Sequence, residues 1–162
     1  MRPEDAFEEF AREFIRRHEG PRPLWRAQRI LVPIDFSPCS RVALEHAEEL
    51  ARSLRAELIL LHTEEFPGVG SQMNPAHATA ARELGRAVQQ LRDDQLEARS
   101  LLCAGWPAEE ILKAATGERV SLIVMGTHGR TGVAHALMGS TAERVVRSAP
   151  CPVLTVSQRA AD

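Results

Sequence analysis

From Arg29 onward the chain alternates short, almost unbroken apolar runs with longer amphipathic stretches, and this alternation limits the fold more than any other feature of the sequence. The runs Arg29–Asp35, Glu57–Thr63, Glu97–Ala104, Val120–Met125 and Pro152–Val156 are five to eight residues long. Runs of that length, with little polar alternation, are strands buried on both faces. Between them the period becomes helical. Ser37-Pro38 reads as an N-cap followed by a first-turn proline, with Leu44, Ala47, Leu50, Ala51 and Leu54 on one face of the helix they open. A second helix is expected from about Pro75 to Arg92, after a Gly- and Pro-rich loop from Glu64 to Asn74. Gly105-Trp106-Pro107 opens a third, with Glu109 and Glu110 in the first turn and Gly117 at its end, and a fourth ends near Ser148. The order βαβαβαβαβ, with right-handed crossovers, implies the α/β class: a single doubly wound five-stranded parallel sheet sandwich over residues 29–157. No internal repeat or second domain is evident.

Residues 1–28 read differently, as a helical extension at the N-terminus. Phe7, Phe10, Ala11 and Phe14 form an i, i+3, i+4, i+7 stripe among charged residues, and Gly20, Pro21 and Pro23 then make a stiff linker. Three of the five phenylalanines lie in that stripe, so it needs a cover: its own domain, a twin subunit or a protein partner. Residues 158–162 form a short tail. With 20 basic against 22 acidic side chains and a net charge of -2, the chain has no field suited to nucleic acid or an anionic membrane. It has no bilayer-length apolar stretch, and its N-terminus is acidic, so a cytoplasmic location is expected. Cys39, Cys103 and Cys151 have neither disulfide-framework nor CxxC spacing and are expected to be reduced and structural. Lys113, the only lysine, sits in Leu-Lys-Ala-Ala, which excludes a Walker-type phosphate loop.

In a doubly wound sheet, ligands bind beyond the carboxyl ends of the strands where the winding reverses. Asp35 follows the first strand, and a glycine-rich loop, Gly126-Thr-His-Gly-Arg-Thr-Gly-Val-Ala-His-Ala-Leu-Met-Gly-Ser-Thr141, follows the fourth. Gly126 and Gly129 can take positive φ and let backbone approach a ligand, while Gly139, Ser140 and Thr141 would offer amide donors at the start of the last helix. Backbone amides around a concave turn hold anions without lysine. Asp35 could accept hydrogen bonds from sugar hydroxyls, so the pair suits a nucleotide, with ribose at Asp35 and phosphates on the loop.

The spacing Gly126-x2-Gly129-x9-Gly139-Ser140, with Ile30-Leu-Val-Pro-Ile-Asp35 upstream and Ala149-Pro-Cys-Pro-Val-Leu-Thr-Val156 downstream, resembles the universal stress protein family over about Arg29 to Ser157. The resemblance implies a Rossmann-like, adenine-nucleotide-binding α/β fold, and the full glycine motif resembles the branch that binds ATP. Carried over by position, it implies adenine and ribose near Pro33, Ile34, Asp35, Thr63 and Met125. Ribose and phosphates would lie near Gly126, His128, Gly129, Gly139, Ser140, Thr141 and Ala142. It also implies a homodimer paired through the last strand, Cys151 to Val156, and a regulatory role in stress response. Three features depart from the family pattern: Ala142 stands where ATP-binding relatives often carry a hydroxyl, Thr63 replaces a usual valine, and the N-terminal extension has no counterpart in a minimal member.

Each candidate also has a plainer reading. The glycines could be turn formers, Asp35 could cap the following helix, and His128 could pack in the loop or touch phosphate rather than act as a base. Arg130 could neutralise phosphate or simply be exposed. His62, inside an apolar run, is expected to be buried and hydrogen-bonded, and His128 and His135 lack an acid partner at ligand spacing, so no structural metal is expected. Magnesium would come only with the nucleotide. Three functions therefore stand: an ATP-binding regulator, a slow Mg²⁺-dependent ATPase using the same pocket, or a nucleotide-free interaction module acting through Phe7, Phe10 and Phe14. A receiver-type phospho-acceptor is excluded, since the third strand ends in Cys103-Ala104 without an acceptor aspartate and no lysine follows the fifth.

Overall fold

The structure is a computed structural model that describes residues 28–64, 75–128 and 138–157. The Phe7, Phe10, Phe14 stripe, most of the expected loop at 64–74, residues Gly129, Arg130, Gly132 and His135, and the tail at 158–162 lie outside the described residues. The elements run β1 (Arg29–Pro33), α1 (Pro38–Leu54), β2 (Glu57–Glu64), α2 (Pro75–Asp93), β3 (Ala98–Ala104), α3 (Pro107–Gly117), β4 (Leu122–Gly126), α4 (Ser140–Ser148) and β5 (Val153–Val156). All strands are parallel, in the order β3-β2-β1-β4-β5. The expected α/β sheet sandwich is therefore present. Among the described residues no helix is long and apolar enough to cross a membrane.

The sheet separates two apolar layers. Ile30, Val32, Leu58, Leu60, Leu122 and Val124 point to one side, against Ala43, Ala47 and Ala51 of α1 and Leu84, Val88 and Leu91 of α2. Leu31, Ile59, Leu61, Ile123 and Met125 point to the other, against Ile111 and Ala115 of α3 and Ala142 and Val145 of α4. The period of two within each strand sends neighbours to opposite layers, so an almost unbroken apolar run is what a doubly covered strand requires. The buried seam of α1 centres on Ala43, Ala47 and Ala51, with Leu44, Leu50 and Leu54 flanking it half-buried. Small residues on the seam let the helix lie close to the sheet.

Local chemistry sets the helix ends. The Ser37 hydroxyl accepts from the Ser40 amide at 3.2 Å, and Pro38 occupies the first turn. The last strands begin later than the apolar pattern suggests. Val120 donates its amide to Ala115 to close α3, and Ser121 donates to the Arg29 carbonyl, so regular pairing of β4 starts at Leu122.

β1 and β4 are registered over Ile30↔Leu122 and Leu31↔Ile123. Beyond that point β1 continues with β2, through Val32↔Leu60 and Pro33↔Leu61, and β4 continues with β5, through Gly126↔Val156. The chain leaving β1 turns into α1 on one face of the sheet, and the chain leaving β4 leads to α4 on the other. This reversal leaves a crevice at the carboxyl ends of β1 and β4.

Gly126 borders that crevice and packs closely. A Cβ added there would lie 2.8 Å from Cys39 Sγ and 3.1 Å from the Cys39 carbonyl carbon. Gly126→Ala should lower stability by about 1–3 kcal/mol through this overpacking, and Cys39→Ala in the same chain should regain part of it. Denaturant midpoints of the two variants and their combination measure both effects.

Candidate functional site

The crevice is built mainly from backbone. After β1, the Ile34 amide donates to the Leu61 carbonyl at 2.7 Å, and the Asp35 Oδ1 accepts from the Ser37 amide at 3.0 Å. Asp35 therefore does cap the turn into α1. Its carboxylate is half-buried, and a carboxylate can accept from several donors at once. Phe36 between them has φ 64°, a left-handed conformation that costs about 1–2 kcal/mol in a residue with a Cβ.

On the other side of the crevice, Thr127 organises the glycine-rich loop. Its amide donates to the Val156 carbonyl at 2.8 Å, and its carbonyl accepts from the Gly139 amide at 2.7 Å, so the two ends of the loop are tied together. Thr127 is buried, and its Oγ1 lies 3.0 Å from His128 Nδ1. Gly139 is the N-cap of α4 and makes no side-chain cap. A Cβ at Gly139 would stand 3.1 Å from the Thr127 carbonyl oxygen.

Two expectations about the loop glycines need correction. Gly126 does not take a positive φ; among the described glycines only Gly105 does, at 148°, and Gly126 is needed for the close approach of Cys39. Gly139 does not offer a free amide, because Thr127 uses it. The amides of Ser140, Thr141 and Ala142 begin α4, where intrahelical geometry provides no acceptor for the first turn. The helix start carries about half a positive charge, suited to an anion. Ser140 is exposed and Thr141 half-buried, so both hydroxyls are near solvent. Ala142 as a whole is 2% exposed, with its methyl in the second apolar layer.

The remaining candidates fall at strand ends. Pro33 closes β1 half-buried, Ile34 packs in the first layer, and Met125 is buried in the second. Thr63 lies near the end of β2, and its Oγ1 is buried without a hydrogen-bond partner among the described residues. Pro33, Ile34, Asp35, Met125, Gly126, His128, Gly139, Ser140, Thr141 and Ala142 thus lie at the ends of β1 and β4 and the start of α4, with Thr63 one strand away. Gly129 lies outside the described residues. Sequence reasoning missed Thr127 and Phe36; position alone marks Thr127, directly after an apolar run and before the loop.

Residues 26–157 match the sequence profile of the universal stress protein family. The chain belongs to the universal stress protein family. A family member from Methanocaldococcus jannaschii is 29% identical over 157 residues, covering 82% of this chain and 96% of its own. The solved structure of that protein superposes with a TM-score of 0.77, over 84% of this chain and 99% of the other, at 30% identity. A Thermus aquaticus member is 35% identical over 133 residues, covering 78% of this chain and 96% of its own. Two more distant universal stress proteins of the same fold were solved with nucleotides. One is in complex with cAMP, at 23% identity, a TM-score of 0.65 and coverage of 82% of this chain and 98% of the other. The other, from Archaeoglobus fulgidus, is in complex with dAMP, at 24% identity, a TM-score of 0.61 and coverage of 81% and 98%.

The cysteines of this family member are free thiols: Cys39 is buried, and Cys103 and Cys151 are half-buried. Burial pushes the Cys103 thiol up, the Glu110 carboxylate adds to the rise, and Lys113 partly opposes it. Burial alone raises Cys151. A raised thiol pKa means less thiolate in the folded state. Both should react with a disulfide reagent at pH 8 more slowly than free cysteine and regain the ordinary rate in denaturant. Stability from these shifts is fully present below the unfolded thiol pKa of about 8.5 and is lost as pH rises through the folded values.

Proposed function

We propose that this universal stress protein binds an adenine nucleotide, ATP in the first instance, in the crevice between the ends of β1 and β4, and acts in stress response as a nucleotide-occupied regulator. The observation that carries this reading is the juxtaposition at the winding reversal of the Asp35 carboxylate with the tied Thr127–Gly139 loop and the α4 amides. A carboxylate accepts from ribose hydroxyls, and a helix start with unpaired amides accepts phosphate. Thr63, near the end of β2, would lie on the adenine side. Pro33, Ile34 and Met125 would border the base, with Gly126, His128 and Gly129 beside the phosphates. The binding unit in this reading is residues 29–157, and the Phe7, Phe10 and Phe14 stripe would be the contact for a twin subunit or a protein partner.

The donor set suits phosphate better than a bare cation. Amides, the Ser140 and Thr141 hydroxyls and one carboxylate lie at this end of the sheet, and no group of three His, Cys, Asp or Glu among the described residues could hold a metal. Mg²⁺ would therefore enter on the nucleotide, neutralising its phosphates, with the two hydroxyls as the nearest oxygen donors. The reading is of binding; slow Mg²⁺-dependent hydrolysis would add to it without replacing it. Freshly purified protein, denatured and chromatographed, should release ATP near one per chain. Gly139→Val and Asp35→Ala should release none and weaken ATP binding at least about tenfold by calorimetry, one charge-assisted hydrogen bond or an obstructed loop closure sufficing for that loss. Full-strength binding by both variants would remove the crevice as the site.

The proposal extends to a homodimer paired through β5. This strand is at one edge of the sheet, and Leu154 and Val146 of the neighbouring α4 are 40% and 45% exposed. An open edge with apolar side chains beside it is a template for pairing. Leu154→Arg should shift the protein from dimer to monomer in sedimentation velocity with its circular dichroism unchanged.

A further inference from the structure

Several constraints converge on the turn after β1, of which the proposed nucleotide site uses the Asp35 carboxylate at the centre and Ile34 beside it. Phe36 is held at φ 64°, and such a conformation in a bulky residue persists only where its surroundings over-determine it. The Phe36 ring packs on the imidazole of His62, with centroids 4.7 Å apart and the planes at 48°. His62 is 7% exposed, and its Nδ1 donates to the Ile34 carbonyl at 2.6 Å. A carbonyl only accepts, so the ring carries its proton on Nδ1. The Ile34 amide is in turn held by Leu61, one residue before His62. Asp35 thus sits between Ile34, whose amide and carbonyl are both anchored to β2, and Phe36, whose ring rests on the same strand.

His62 follows Leu58 and Leu60 on one side of β2. Packing alone would be served by a third leucine there. The imidazole instead provides a donor for a carbonyl and a flat surface for an aromatic ring.

We propose that His62 is a positioning residue of the nucleotide site, clamping Ile34 and Phe36 so that the Asp35 carboxylate is fixed in the direction of the ribose hydroxyls. This deepens the nucleotide reading and rests on it. His62 does not touch ligand; it acts through the turn. The Ser37 amide donates to the Asp35 carboxylate within that turn, so its proton shift reports the carboxylate even in nucleotide-free protein.

The test uses His62→Leu, which keeps volume and removes the donor, and His62→Asn, which returns an N–H at the same distance along the side chain. Each is compared with the unaltered protein for binding of ATP, 2′-deoxy-ATP and 3′-deoxy-ATP, and for the pH titration of the Ser37 amide shift by NMR without nucleotide. The unaltered protein should prefer ATP over at least one deoxy analogue about tenfold, the contribution of one charge-assisted hydrogen bond. His62→Leu should bring that preference to within about twofold and flatten the Ser37 titration, and His62→Asn should restore both. A merely structural histidine would weaken all three nucleotides together. An unchanged preference and unchanged Ser37 titration in His62→Leu would overturn the inference. If the unaltered protein shows no preference or no binding, the ribose reading of Asp35 fails, and an unchanged Ser37 titration in His62→Leu overturns the positioning role as well. Should His62→Leu not fold, Phe36→Ala removes the clamped ring and takes its place: loss of the ribose preference and a flattened Ser37 titration support the clamp, and no change in either overturns it.

Discussion

β1 is the strand on which the rest of the molecule depends, because it is buried on both faces and paired on both edges. Ile30, Leu31 and Val32 have no exposed surface, and their side chains enter both apolar layers. A parallel strand in this position needs crossovers on each side, and right-handedness sends them to opposite faces. The reversal that follows is a geometric necessity. The candidate residues gather at the carboxyl ends of β1 and β4, where the two chains part to opposite faces.

The two ends of the sheet are finished differently. At the amino ends, Glu57 bridges Arg29 at 3.3 Å and Arg99 at 2.8 Å, Arg99 reaches Glu118 at 2.6 Å, and Arg29 donates to the Glu118 carbonyl at 2.7 Å. Hydrogen bonding to Glu118 is the main cause of the raised Arg99 pKa, opposed in part by burial. These side chains are a quarter to two-fifths exposed, so each pair contributes modestly, but a connected set fixes β1, β2, β3 and the end of α3 relative to one another. At the carboxyl ends backbone-to-backbone bonds join Thr127 to Val156, Gly139 to Thr127 and Ile34 to Leu61, and the His62 ring holds the Ile34 carbonyl. Cys39 adds a thiol bond to the Val156 carbonyl at 3.3 Å. The proposed site, of amides and one carboxylate, has no need of a lysine, which fits a chain whose single lysine lies on α3, paired with Glu110.

The element order was legible because burial on both faces imposes unbroken apolar runs, and caps such as Ser37-Pro38 mark where helices begin. The proton on His62 Nδ1 and the left-handed Phe36 were not legible, although the apolar run around His62 does imply a buried, hydrogen-bonded ring, which is found. Neither feature has a local sequence signature; each arises where β2 meets the turn leaving β1, 28 residues away in the chain. Gly126 illustrates the same limit. The glycine is plain in the sequence, but the reason for it lies in Cys39, which no spacing rule connects to it.

By itself, the sequence determined the α/β class, the strand and helix order along the chain and the motif residues after the first and fourth strands, because periodicity, capping and turn chemistry act within a few residues along the chain. Tertiary structure alone decided what those residues do to one another: Gly126 makes room for Cys39, Gly139 gives its amide to Thr127, and Ala142 turns its methyl into the core. Those outcomes depend on distances between segments far apart in sequence, and such distances exist only once the two layers have packed against the sheet.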